Sequence, residues 1–179
     1  MKHQNFNLQP FSSLSLLPDL HISGDIARHC DMLTLNYFIE GRLEKLSIPA
    51  PSSMPSRRHG LWTDTCFELF LAVHNAPRYW EFNLSPAGHW NVYQFAAYRH
   101  GMKVEENFTE LTTSVLKTRD FLALTLHLDL KRIVDSDRLL EIGINAVIKQ
   151  LDGNISYWAL EHAALQPDFH HRESFVIKL

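Results

Sequence analysis

Five leucines at every second position constrain this chain more than any other feature. In the segment 121–130, Leu122, Leu124, Leu126, Leu128 and Leu130 share one side, and Ala123, Thr125, His127 and Asp129 share the other. A period of two fits a strand with one buried face and does not produce the stripe that an amphipathic helix needs. Leu33, Leu35, Tyr37 and Ile39 alternate in the same way, as do Ile142, Ile144, Ala146 and Ile148. Further strands are expected over 21–28, 65–73, 79–84, 90–98, 111–117, 157–160 and 174–179. Turn-forming runs separate them: Asn75-Ala76-Pro77, Ser85-Pro86-Ala87-Gly88 and Asp152-Gly153-Asn154. The last is a strong hairpin signal. Only 130–140 has the spacing for a helical turn. About ten short strands without an amphipathic helix predict an all-β fold, a single antiparallel β-sandwich. The length fits one domain over residues 1–179.

The net charge of −3 leaves no basic surface to neutralise phosphates, so nucleic acid is not the expected partner. No apolar run approaches the length that spans a membrane. Residues 1–11 lack the basic segment and apolar run of an export signal, so a cytoplasmic protein is expected. The two cysteines are Cys30 and Cys66. Cys66 falls in an expected central strand, where cysteine behaves as a small buried hydrophobe. The Pro- and Ser-rich stretch 49–60 is the longest loop, and loops of that length often carry function.

Functional candidates concentrate between Trp62 and Trp90. Glu68 and Glu81 interrupt runs that otherwise read as apolar strands. Burying a carboxylate is costly unless something pairs with it. The two glutamates fit an acid–base pair of the glycosidase kind, a cation site, or a buried pair neutralised by Arg99 or Arg78. Trp62 lies six positions before Glu68, about 20 Å away if the chain stays extended. One small ligand reaches both only if Trp62 folds back on its loop, a bend that Gly60 permits. Trp90 and Tyr98 are expected on one strand face, with Tyr93 and Arg99 on the other. Arginine beside aromatic rings suits a polyhydroxyl ligand or a structural cation–π contact. Trp158 and His162 are expected to share a face near the end of the chain. His162, Asp168, His170 and His171 offer imidazole and carboxylate to a metal, but match no zinc spacing; fixing the last strand is the competing role. No catalytic residue and no metal ligand is assigned. The chain has no nucleophile elbow, phosphate loop or His-Glu-x-x-His motif.

Three blocks carry a family resemblance: residues 60–68, residues 79–90, and Tyr157-Trp158-Ala159-Leu160 with Pro167-Asp168-Phe169-His170-His171. They resemble the bacterial DOMON-like domain proteins, which are related to the family 9 carbohydrate-binding modules and more distantly to haem-binding DOMON domains. The resemblance covers nearly the whole chain. It implies a sandwich of two antiparallel sheets that binds a small ligand, a carbohydrate or carbohydrate-like molecule, without catalysis. It further implies that two tryptophans clamp a sugar, with Trp62 and Trp158 in those places and Glu68 accepting hydroxyl hydrogen bonds. Trp90, Tyr98, Arg99 and His162 are the secondary ligand-binding candidates. The sugar-binding relatives hold structural calcium, but no ligand set for it can be matched here. The haem-binding relatives use a methionine axial ligand, for which Met54 and Met102 are the loop candidates; neither lies in a matching motif. No cofactor is therefore expected. The alternatives are a haem-binding domain and a glycosidase-like enzyme using Glu68 and Glu81.

Overall fold

A computed structural model describes residues 2–11 and 19–179. In chain order the strands are β1 Lys2–Asn7, β2 Gln9–Pro10, β3 Leu20–His29, β4 Met32–Gly41, β5 Cys66–Val73, β6 Tyr79–Leu84 and β7 Trp90–Phe95. They continue with β8 Lys103–Val104, β9 Thr112–Lys117, β10 Phe121–Asp129, β11 Leu140–Lys149, β12 Ile155–Ala159 and β13 Ile177–Lys178. Helical structure among the described residues is limited to 3₁₀ turns, including Leu61–Thr63, Leu130–Arg132 and Arg172–Ser174. Every strand pairing is antiparallel. The fold is the predicted all-β sandwich.

The smaller sheet runs β1-β3-β4-β10-β9. The alternation seen in the sequence is literal here. In β10 the even-numbered leucines are buried while Ala123, Thr125 and His127 face outward. The larger sheet runs β2-β12-β11-β5-β6-β7-β8, with β13 paired to the start of β11. Its central strands are buried on both faces. One face meets the smaller sheet through Phe67, Leu69, Leu71, Phe82, Ile142 and Ile144. The other lies under the C-terminal segment and the loop before β5, forming a second cluster around Phe70, Tyr79, Phe95 and Phe175.

Polar bonds fix how these layers meet. Tyr37, fully buried on the inner face of the smaller sheet, donates its hydroxyl to the backbone carbonyl of Glu68 at 2.8 Å. On the outer face of the larger sheet, Gly143 leaves room for Phe175: a Cβ there would lie 3.0 Å from the Phe175 Cδ1. The Asp152-Gly153-Asn154 turn joins β11 to β12, with Gly153 at φ 90° and the Gln150 N–H donating to the Asn154 carbonyl.

The strands at the edges were not all apparent. The β1 segment, Lys2-His3-Gln4-Asn5-Phe6-Asn7, buries only Phe6 and is otherwise polar, so its pattern gives little strand signal. Two expected strands are also shorter. The strand expected over 90–98 stops at Phe95, and a tight turn pairing Ala97 with His100 follows. The strand expected over 174–179 shrinks to Ile177–Lys178 behind the 3₁₀ turn Arg172–Ser174. Cys30 and Cys66 are both free thiols, Cys30 exposed and Cys66 buried at the start of β5. Among the described residues, no helix is long and apolar enough to cross a membrane.

Candidate functional site

Alternation along the larger sheet decides which side chains face outward. On β5 the outward set is Cys66, Glu68, Phe70 and Ala72, and on β6 it is Tyr79, Glu81 and Asn83. The register places Asn145 of β11 and Asn83 of β6 directly opposite Glu68, on either side of it. Glu81 stands opposite Phe70 and Tyr93. Glu68 and Glu81 are thus diagonal neighbours on adjacent strands, with Cβ atoms about 7–8 Å apart by sheet geometry.

Above this floor lies an open cleft of about 420 Å³, within the roughly 300–1,000 Å³ range of small-molecule sites. Glu68 and Glu81 are its acidic residues; Trp62 and Tyr157 stand in its walls, with Arg99 and His170 at its margin. Gly60 adopts φ 74° and starts the 3₁₀ turn that folds Trp62 back over β5 and β6. The Trp62 ring is held edge-on by His59 and Tyr93, with centroids 5.1 and 5.8 Å away. His59 and Tyr93 hydrogen-bond each other at 2.7 Å, and Asn91 donates to the Tyr93 hydroxyl. Tyr157 occupies the β12 side, edge-on to Phe169 at 6.0 Å. The fold-back required for Trp62 and Glu68 to share one ligand is therefore present.

The floor is electrostatically unusual. Glu68 is 3% exposed, and among the described residues nothing donates a hydrogen bond to its carboxyl group. Burial pushes its pKa well above the ordinary carboxylate value, and the Glu81 charge pushes in the same direction. Burial raises Glu81 to about 7, although the Asn83 side chain donates to it at 2.7 Å. The amide nitrogen of Asn145, buried beside Glu68, also has no partner. Arginine meets the pair only in part: Arg99 binds Asp168 at 2.8 Å and its charge lowers the Glu81 pKa against the larger effect of burial, while Arg78 lines a separate groove.

His170 closes the margin of the cleft. The Arg99 backbone N–H donates to the Tyr79 hydroxyl at 3.2 Å, and that hydroxyl hydrogen-bonds His170 Nδ1 at 2.8 Å. Burial, then the Arg99 charge, lower the His170 pKa to about 4. The ring is neutral at pH 7, so its 3.8 Å approach to Glu81 is a polar contact and not an ion pair. Both ring nitrogens already face protein groups, which leaves this histidine badly placed as an axial ligand. Met102 lies along the same cleft, whereas Met54 is 79% exposed elsewhere.

Several expected site residues lie elsewhere. Trp158 is 4% exposed and points into the sandwich core, its indole N–H donating to Ser156 at 2.9 Å. The register pairs Trp158 with Ala146 and Tyr157 with Val147, so Tyr157 is the aromatic residue that faces the cleft. Trp158 cannot act as a clamp. Trp90 is also a core residue, covered by the Arg57 guanidinium 4.4 Å from its ring centroid. Tyr98 and Arg99 sit on the turn after β7 and not on a strand face; Tyr98 donates to Asp168 at the exposed rim. His162 lies beyond the end of β12, bound to the Gln9 carbonyl at 2.9 Å. His162 and Asp168 serve different partners, His170 meets Tyr79, and the buried His171 Nδ1 has no partner; among the described residues no three metal-binding side chains cluster.

A glycosidase needs its two carboxyl groups to flank the scissile bond, whereas Glu68 and Glu81 both rise from adjacent strands of one floor. Desolvation also moves both pKa values in the same direction, which does not separate an acid from a base.

The chain superposes on a Bacteroides uniformis ATCC 8492 protein provisionally described as carbohydrate-binding. The TM-score is 0.74 at 14% identity, covering 96% of this chain and 83% of that one. It also superposes on a family 9 carbohydrate-binding module from Caldicellulosiruptor kristjanssonii solved with cellotriose. There the TM-score is 0.51 at 8% identity, over 88% of this chain and 72% of the module. The likeness is one of fold. No protein-family model matches the sequence, and no curated protein matches it.

Proposed function

We propose that the protein is a non-catalytic binder of a small carbohydrate, held in the cleft between Trp62 and Tyr157. One observation carries this reading: Glu68, 3% exposed and without a hydrogen-bond donor among the described residues, lines an open cleft that Trp62 and Tyr157 also line. A sugar has hydroxyls for such an acceptor and C–H faces for aromatic rings. Trp62 and Tyr157 supply the apolar contact. Glu68 and Glu81 accept hydroxyl hydrogen bonds, and Arg99 contributes from the margin. The DOMON-like resemblance and the shared fold of the sugar-binding module support the same assignment.

Intrinsic tryptophan fluorescence tests it, because Trp62 is the partly exposed tryptophan and Trp80, Trp90 and Trp158 are each 4% exposed. Titration with mono- and oligosaccharides is expected to give a saturable change that disappears in Trp62→Ala. Absence of any response across neutral, amino and nucleotide sugars would overturn the carbohydrate reading.

A further inference from the structure

We infer that the ligand carries a protonated amino group, and that the cleft selects an amino sugar by seating its ammonium between Glu68 and Glu81. This inference rests on the carbohydrate reading of the same cleft. It adds the charge of the ligand and the residues that read it.

The argument begins with what is missing around the pair. Two carboxyl groups, 3% and 5% exposed, lie diagonally on one floor. A hydroxyl ligand needs only neutral acceptors, which Asn and Gln side chains supply without burying an acid. The floor instead places two acids together, at a position where a partner is needed. Glu81 receives one amide hydrogen bond from Asn83, and Glu68 receives none among the described residues. The unpartnered Glu68 carboxyl lines the cleft.

From the loops, Arg99 is paired with Asp168 and its charge acts on Glu81 and not on Glu68, and His170 is neutral at pH 7. From the strands, Cys66, Tyr79 and Tyr93 face the same side, and burial keeps all three protonated at neutral pH. The acid left without a cation or donor is therefore Glu68, with Glu81 beside it only partly met by Asn83 and Arg99. An ammonium presents several donors to both carboxyl groups in charge-assisted hydrogen bonds, stronger than those from neutral hydroxyls. Seating it requires at least one carboxyl to ionise. The proton that held that group neutral leaves for solvent, and the ammonium replaces its charge. Binding of the amine consequently releases protons near pH 7, whereas binding of a neutral sugar does not.

Isothermal titration calorimetry of the full chain at pH 7 tests this. The probes are D-glucosamine, D-galactosamine and D-mannosamine, each compared with its parent sugar and its N-acetyl derivative, plus ethylamine as a bare amine. Titrations in phosphate and in MOPS, neither of which carries a primary amine, read proton release through the difference in apparent enthalpy. One amino sugar is expected to bind at least tenfold more tightly than its parent and its N-acetyl form, with net proton release. Glu68→Gln, which preserves shape, is expected to bring that preference close to one, and Glu81→Gln to reduce it.

A parent or N-acetyl sugar that binds as tightly as the amine would overturn this inference and leave the carbohydrate reading standing. Ethylamine binding as tightly as the amino sugars would overturn both, since the cleft would then recognise no sugar. So would the absence of binding by every probe.

Discussion

The outer faces of the two sheets have opposite fates. On the smaller sheet the outer face meets solvent, so β4 and β10 alternate between buried and less buried residues along their length. On the larger sheet the outer face is roofed by loops, and β5, β6 and β11 are buried on both sides. The roofed face is where the acids, the unpaired amide and the cleft are found. A solvated polar face is inexpensive to maintain and says little about function. A covered face that keeps polar groups without partners is costly, and the cost points to something that binds there.

Substitutions can break or sharpen this contrast. Phe70→Ala on the roofed face removes a fully buried ring that packs against Phe175 and His170. It is expected to cost about 3–5 kcal/mol in urea unfolding. Glu81→Gln on the same face is expected to stabilise, with a sign set by pH. The folded-state pKa of about 7 lies above the ordinary 4.5, so the native state holds more protons between those values. Stability from this group is therefore full below pH 4.5 and is lost as pH rises through about 7. The variant should gain about 3 kcal/mol at pH 8 and almost nothing at pH 4.

His170 works in the opposite direction. With its pKa lowered to about 4 from 6.5, it makes the native state more stable as pH rises from 4 to 6.5. In the wild type the two effects offset each other. In Glu81→Gln the rise from His170 should stand alone, which thermal melts from pH 4 to 8 would reveal.

Tyr37→Phe tests the bond between the sheets at the cleft floor. It is expected to cost about 1 kcal/mol, the usual net value of one hydrogen bond. Leu116→Thr on the solvated face, where Leu116 is 62% exposed, should change stability by no more than about 0.5 kcal/mol. A larger effect there would erase the distinction between the two faces.

This contrast also explains what was legible in the sequence. Leu122 to Leu130 and Leu33 to Ile39 alternate because their other face meets water, so period two announced the smaller sheet. The central strands of the larger sheet are buried on both sides, and segments such as Phe67-Glu68-Leu69-Phe70-Leu71-Ala72 alternate only where Glu68 intrudes. Glu68, Glu81 and Trp62 stood out as buried-run acids and a loop tryptophan. Tyr157 did not, because two aromatic residues in succession give no clue to which one faces inward. Pairing with β11 settles that, and a slip of one residue would exchange their places. The placement of His162, Tyr98 and Trp90 depended on where strands end and which cation covers which ring, and neither is written in local spacing.

The hydroxyl of Tyr37 has a mechanical consequence. Interdigitated apolar side chains hold the two layers together without fixing any single contact by direction. A hydrogen bond from one sheet to the main chain of the other does have direction. Its anchor is the residue whose side chain lies on the cleft floor. Shear between the layers is therefore pinned at Glu68. The floor of the cleft thereby keeps its alignment with the opposite sheet.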